Sequence, residues 1–277
     1  MNGVRAPRMS IGLPVYNGEE FVGRAIESLL RQEFADFELI VSDNASTDRS
    51  GEILAGFAAR DERIRYIRQA SNVGGIGNFG FVLEQASAGY FMWAAADDCW
   101  APEFLKENIE FLDAHPDYVA SVSQAAFDDA ATDPGDVMGT FPLTGTAREN
   151  LQAFILNPGA DTRFYAVHRT QIIRRAWIPQ PFWASDWAMV CRTLEFGKYH
   201  EVPRVLMTRS YHGASSNAYR TITRFDLGWL RTSLPFLHFT RWVLRIPPAR
   251  NNLRVLVRLL WLNLDGMLMV LKKRIGG

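Results

Sequence analysis

Short β-branched or aromatic runs alternate with helix-period segments through the first half of this chain, and that alternation restricts its fold more than any other feature. Strands are predicted at 9–15, 37–42, 64–68, 90–95 and 118–123, with helices at 19–32, 48–59, roughly 75–88 and 102–114 between them. Repeated βα units with short connections give an α/β fold, a Rossmann-like, mainly parallel sheet with helices on both faces. Boundary chemistry agrees, since Ser46 or Thr47 is placed to cap the second helix and Pro102 suits the first position of the fourth.

Past residue 123 the alternation fades. Residues 127–142 carry Asp128, Asp129, Asp133 and Asp136 among Pro and Gly, without the D-x-D-x-D-G order of a calcium loop, and read as a solvated loop or lid. A second cluster follows, with a strand near 164–169, a helix near 184–196 and a strand near 199–207. No internal repeat is present.

Composition bounds the alternatives. At 277 residues and 48% hydrophobic the chain can bury a large core, which excludes a disordered or fibrous class. Cys99 and Cys191 offer no disulfide framework and no CxxC pair; they read as buried thiols in a reducing compartment. Residues 1–8 lack the apolar core of a signal peptide, and the longest charge-free run, 69–83, is broken by glycine and asparagine, so a cytoplasmic protein without a membrane span is expected. The net charge is zero, but from Arg220 onward there are 11 Lys and Arg against 2 Asp and Glu. This splits the chain into an expected 1–219 domain and a basic helical segment, 220–277.

In a parallel sheet, ligands bind beyond the carboxyl ends of the strands, where helix N-termini present free N–H groups. The loops to inspect are therefore Pro14-Val15-Tyr16-Asn17, Asp43-Asn44-Ala45-Ser46-Thr47-Asp48, Ser71-Asn72-Val73-Gly74 and Ala96-Asp97-Asp98. Asp97 and Asp98 end a run that should be buried, and two carboxylates that close need a cation or several donors to hold them. A divalent cation such as Mg²⁺ or Mn²⁺ bridging a diphosphate would serve; a helix cap with a solvated neighbour would equally account for the pair. Asp43 can accept from a nucleobase or ribose, or close a turn. Asn17 and Asn72 are ordinary turn residues when taken singly.

The order and spacing of these motifs, with Ser185-Asp186-Trp187 further on, resemble the family 2 glycosyltransferases over residues 8–215. The resemblance implies the GT-A fold and an inverting transfer of sugar from a nucleotide diphosphate sugar to a hydroxyl of a glycan or lipid-linked acceptor in cell-surface polysaccharide synthesis. It implies donor contacts from Pro14, Tyr16, Asn17, Asp43, Asn72, Gly74 and Asp97, with Asp98 at the metal and Asp186 as general base. Arg209 would neutralise phosphate charge, and His212 would approach the metal. The family's D-x-D-D segment lacks its first carboxylate here, because Ala95 stands in its place. That departure motivates the alternative of a non-catalytic nucleotide-sugar or glycan-binding module.

Gly75-Ile76-Gly77-Asn78-Phe79-Gly80 fits G-x-G-x-x-G, but the dinucleotide fingerprint belongs in the first βα turn, and this one follows the third strand by seven positions. In 220–277, Arg250, Arg254 and Arg258 recur every fourth residue beside leucines. Such a helix either lies on the inner face of an anionic membrane as a peripheral contact or packs on the catalytic domain or on a second subunit of a homodimer. Nucleic acid is not an expected partner, because no recognition module accompanies the basic residues.

Overall fold

The computed structural model describes residues 6–128, 140–158, 162–210 and 234–275. Period-two patterning builds the sheet centre. Strand β1 (Met9–Val15) turns Met9, Ile11, Leu13 and Val15 into one apolar layer, while Ser10 and Gly12 face the other side. Gly12 is required by packing, because a Cβ there would lie 2.7 Å from Val82 Cγ2 and 2.9 Å from Phe91 Cζ. Helix α1 (Val22–Leu30) buries Val22, Ala25, Ile26 and Leu29, a three-to-four spacing that lays one stripe on the β1 layer. Val22, Ile26 and Leu29, fully buried, each contribute on the order of 1.5–3 kcal/mol.

The chain continues through β2 (Phe37–Asp43), α2 (Ser50–Ala58), β3 (Ile64–Arg68), α3 (Gly75–Gln85), β4 (Tyr90–Trp93), β5 (Cys99–Trp100), α4 (Phe104–Ala114) and β6 (Tyr118–Phe127). The second half holds α5 (Ala147–Leu156), a 3₁₀ turn (Thr162–Tyr165), β7 (Val167–Arg169), α6 (Thr170–Ala176), α7 (Ser185–Thr193) and β8 (Lys198–Arg209). Among the described residues, three C-terminal helices follow, α8 (Leu237–Val243), α9 (Pro247–Arg250) and α10 (Leu253–Ile275).

The eight strands of the described residues form one sheet in the order β3-β2-β1-β4-β7-β6-β8-β5. The pairs β1·β2, β1·β4, β2·β3 and β6·β8 are parallel; β4·β7, β6·β7 and β5·β8 are antiparallel. Helices cover both faces, α1, α2 and α4 on one side and α3, α6 and α7 on the other. A further apolar cluster joins β6, α5 and α7 to Phe239, Val243, Val255 and Leu259, so α8 and α10 pack on the second half of the sheet domain. The expected boundary at 219/220 falls in a stretch outside the described residues.

Several sequence expectations need correction. Helix α4 starts at Phe104, and Pro102 sits in the preceding turn. Neither Ser46 nor Thr47 caps α2: Asp48 accepts the Ser50 amide at 3.0 Å, while Ser46 Oγ is engaged by the Asn17 amide. Cys99 is only half-buried, whereas Cys191 is buried. Arg250 does not share a helix with Arg254 and Arg258, because Asn252 Oδ1 accepts the amides of Arg254 and Val255 and starts a new helix. Most of the acidic loop, 129–139, lies outside the described residues.

Candidate active site

Sheet direction decides which loops meet. Strands β1, β2, β3 and β4 run parallel; β7 reverses, and β6 and β8 reverse again. The carboxyl ends of six strands therefore lie on one edge, which gathers the loops after β1, β2, β3 and β4 with Phe127 and Arg209.

The first three loops are bonded into one unit. The Asn17 amide donates to Ser46 Oγ at 3.0 Å, and Asn17 Oδ1 accepts the Thr47 amide at 2.9 Å. The Gly18 amide donates to Ser50 Oγ, Asp48 Oδ2 accepts the Glu19 amide, and Glu19 Oε2 accepts the Arg49 amide. Asn44 Nδ2 donates to Asn72 Oδ1 at 2.9 Å, Asn44 Oδ1 accepts the Val73 amide, and Asn72 Oδ1 also accepts the Gly74 amide. Gly74, at φ 79°, stands before α3 in a left-handed conformation that glycine adopts without strain. Pro14 is half-buried opposite Ser42, and Tyr16 is left exposed.

Asp43 is fully buried. Its Oδ1 accepts the Ser46 amide at 2.8 Å, while Oδ2 accepts from the Tyr66 hydroxyl at 3.3 Å and lies 3.5 Å from Arg68 Nη1. Both oxygens thus face protein donors, which narrows the expected direct contact with a base or ribose. Arg68 also donates to the Ser46 carbonyl at 2.9 Å. Asn44 belongs to a loop the sequence singled out, without a role of its own; Tyr66 and Arg68 carry no sequence signal, and only the β2·β3 register sets Arg68 directly opposite Asp43.

A second group forms after β4. Asp97 is half-buried, and Asp98 is 3% exposed. Asp98 Oδ1 accepts the Ser210 amide at 3.0 Å; Oδ2 lies 3.8 Å from Arg209 Nε and accepts no hydrogen bond among the described residues. Burial pushes the Asp98 carboxyl up to about 6, with Arg209 pulling it down and Asp97 repelling it. Burial also raises Asp97, against the pull of Arg209. The Arg209 guanidinium rests over the rings of Tyr165 and Phe127. In donor chemistry the pair suits a hard divalent cation, and the buried Asp98 Oδ2 is one oxygen without a hydrogen bond to give up. Among the described residues no group of three or more His, Cys, Asp or Glu side chains converges, so phosphate oxygens would have to complete the shell. His212 lies outside the described residues.

Asp186 sits in the first turn of α7, and its Oδ1 accepts the Trp187 amide at 2.9 Å. Helix α7 leads into β8, which begins at the edge remote from the loops, so its N-terminus points back toward the carboxyl edge. At the end of α6, Trp177 packs on Trp93 at the end of β4, with a centroid separation of 5.2 Å. It also crowds Gly80 in α3, where a Cβ would lie 3.2 Å from Trp177 Nε1. That packing accounts for the last glycine of the G-x-G-x-x-G string without a dinucleotide. No hydrogen bond or ion pair joins Asp186 to Asp43 or Asp98 among the described residues.

Backbone strain marks the same places. Among the described residues, the non-glycine side chains at positive φ are Asn17 at 50°, Ala45 at 57° and Ala184 at 63°. The first two sit in the bonded loops, and Ala184 stands two residues before Asp186. Asparagine tolerates this region, whereas Ala45 and Ala184 each cost on the order of 1–2 kcal/mol, and such strain collects where a site must hold groups in fixed positions.

The comparisons with known proteins agree with this geometry. Residues 10–177 match the model of glycosyl transferase family 2. TuaG of Bacillus subtilis strain 168, a putative teichuronic acid biosynthesis glycosyltransferase, is 30% identical over 106 residues, 38% of this chain and 42% of that protein. The fold is that of S. aureus TarS 1–349 in complex with UDP-GlcNAc, with a TM-score of 0.64 and 17% identity over 86% of this chain and 73% of that one. The mannosyltransferase PcManGT of Pyrobaculum calidifontis, in complex with GDP-Man and Mn²⁺, matches with a TM-score of 0.63 and 15% identity over 97% and 74%. The chain spans about half the length of the curated relatives it matches. Since the family match runs through the three bonded loops, the Asp97-Asp98 turn and the sheet centre, more than half of the sequence, this chain belongs to glycosyl transferase family 2.

Proposed function

We propose that the protein transfers a sugar, with inversion, from a nucleotide diphosphate sugar to a hydroxyl of a glycan or lipid-linked acceptor in the synthesis of a cell-surface polysaccharide. The observation that carries this reading is the buried Asp98–Arg209 pair standing at the same sheet edge as the bonded loops and the start of α7. The loops of Tyr16, Asn17, Asn72 and Gly74 offer polar groups to the nucleoside, with Asp43 as the positioning residue that fixes their shape and Pro14 beneath them. Asp98 orients Arg209, whose guanidinium meets the charge of the diphosphate.

In direct displacement the acceptor oxygen bonds to the anomeric carbon as the bond from that carbon to the diphosphate oxygen breaks. Asp186 takes the acceptor hydroxyl proton, and the electron pair leaves on the diphosphate. Asp97 and Asp98 are the residues that would hold a divalent cation, which when bound supplies positive charge beside the diphosphate; His212 is a further candidate ligand. A bound Mn²⁺ in the neighbour PcManGT supports that assignment.

Incubation with a panel of nucleotide sugars, Mn²⁺ and candidate acceptors tests the reading. Asp186→Asn should lower turnover by roughly 10²–10⁴-fold while leaving donor binding intact. Undiminished transfer would remove it as base, and activity surviving exhaustive chelation would remove the cation. The alternative, a binding module without catalysis, draws on Ala95; it requires saturable donor binding with no nucleotide release.

A further inference from the structure

Helix α10 buries one side and leaves the opposite side apolar. Val255, Leu259, Leu262 and Val270 face the protein. Leu253, Val257, Leu260, Trp261, Leu264 and Leu268 face outward with 37–74% of their surface exposed. At about 100° per residue these outward side chains cover an arc of roughly 100° lying away from the buried stripe. Arg254 and Lys272 fall along one rim of that arc, both exposed, with the exposed Asp265 between them.

The apolar surface continues sideways. A groove of ≈ 350 Å³ runs between α8 and α10, lined by Leu237, Leu244, Leu256 and Leu260 among others. A second, of ≈ 440 Å³, lies between Leu156 of α5 and Trp261. On α8 and the turn after it, Arg241 and Arg245 are exposed. Residues 234–272 carry six Arg and Lys against one acid, Asp265.

We propose that this outward face of α10, with the adjoining flank of α8, is a membrane-docking surface that lies flat on an anionic phospholipid bilayer. The charge decides the occupant. Basic residues at the rim of an apolar stripe match anionic headgroups above buried acyl chains. A symmetric pairing with a second copy would instead bring together two surfaces that each carry the six-to-one basic excess of residues 234–272. Nor does the described surface of another copy offer a separate apolar counterpart, since its exposed large apolar residues outside 234–272 are Leu156, which adjoins the α10 face itself, and the scattered Tyr16, Val73 and Val205. No helix among the described residues is long and apolar enough to cross a membrane, which fits a helix lying in the interface.

Co-sedimentation of the full chain with vesicles tests this independently of any transfer activity. Phosphatidylcholine–phosphatidylglycerol vesicles should bind the protein at least about tenfold more strongly than phosphatidylcholine alone, with binding falling as salt rises. Arg254→Gln combined with Lys272→Gln should weaken binding roughly tenfold or more, at about fivefold per charge. Leu260→Gln with Trp261→Gln should abolish most of it while leaving the melting temperature and donor turnover unchanged, because both side chains project from the surface. Equal pelleting with and without vesicles, or a dimer in solution that the Leu260/Trp261 variant dissociates, overturns the proposal.

Discussion

Asp98→Asn in metal-free, chelator-treated protein should stabilise the fold, and by an amount that depends on pH in a defined way. Asp98 is 3% exposed, and its carboxyl moves from an ordinary 3.8 to about 6 when folded. A group whose pKa is raised by folding contributes stability below its unfolded value and loses it as pH rises through the folded one. At about 1.4 kcal/mol per unit, ionised Asp98 costs the native state about 3 kcal/mol at pH 8, whereas asparagine mimics the protonated form and can still accept the Ser210 amide. The stability gap between variant and wild type should therefore be largest near pH 8, and about 2 kcal/mol of it should close between pH 6 and pH 4. Denaturant titrations of both proteins at several pH values measure that difference, with shared contributions cancelling; in thermal melts it corresponds to roughly 2 °C or more per kcal/mol. A gap that stays flat from pH 8 to pH 4 would falsify the reasoning, since it would mean that Asp98 is solvated like a surface carboxylate.

Other consequences are as direct. His168 is fully buried beside the Tyr199 hydroxyl, and burial lowers it to about 3; stability present above pH 6.5 is lost as pH falls, so wild type should lose about 2 kcal/mol relative to His168→Gln between pH 8 and pH 5. Parallel titration curves for the two would contradict this. Gly12→Ala should cost about 1–3 kcal/mol through the clash with Val82 and Phe91, and Val82→Ala in the same chain should recover part of the loss; two additive losses would refute the contact. Ala184→Gly should relieve up to about 1 kcal/mol of left-handed strain while lowering turnover by loosening Asp186, read as a rise in melting temperature with a fall in kcat. Unchanged kcat would detach the strain from the site.

The parallel half of the sheet was legible because each strand there carries its own periodicity: β1 and β3 begin and end where apolar alternation does. Strand β5, two residues long, has no pattern to read, and α5 and α6 were missed for a related reason. Their buried residues answer to neighbours such as α10 and α3 more than to a repeat of their own. The basic run from Arg250 read as one helix because arginine spacing is blind to the cap that Asn252 supplies. Asn17, Asn72 and Asp43 were recognisable as loop residues, but their bonds to Ser46, Asn44, Tyr66 and Arg68 join segments about 20 to 30 positions apart.

What the linear order of residues determined by itself is the βα alternation, the sheet edge where polar loops gather and the family motif at Asp97-Asp98, all properties of local spacing. Tertiary structure alone decided that β7 runs backward, that Asp98 is buried against Arg209, and that α10 turns one row of its leucines outward and buries the other. Each of these depends on which surfaces exclude water from one another, and burial is set by partners distant in the chain.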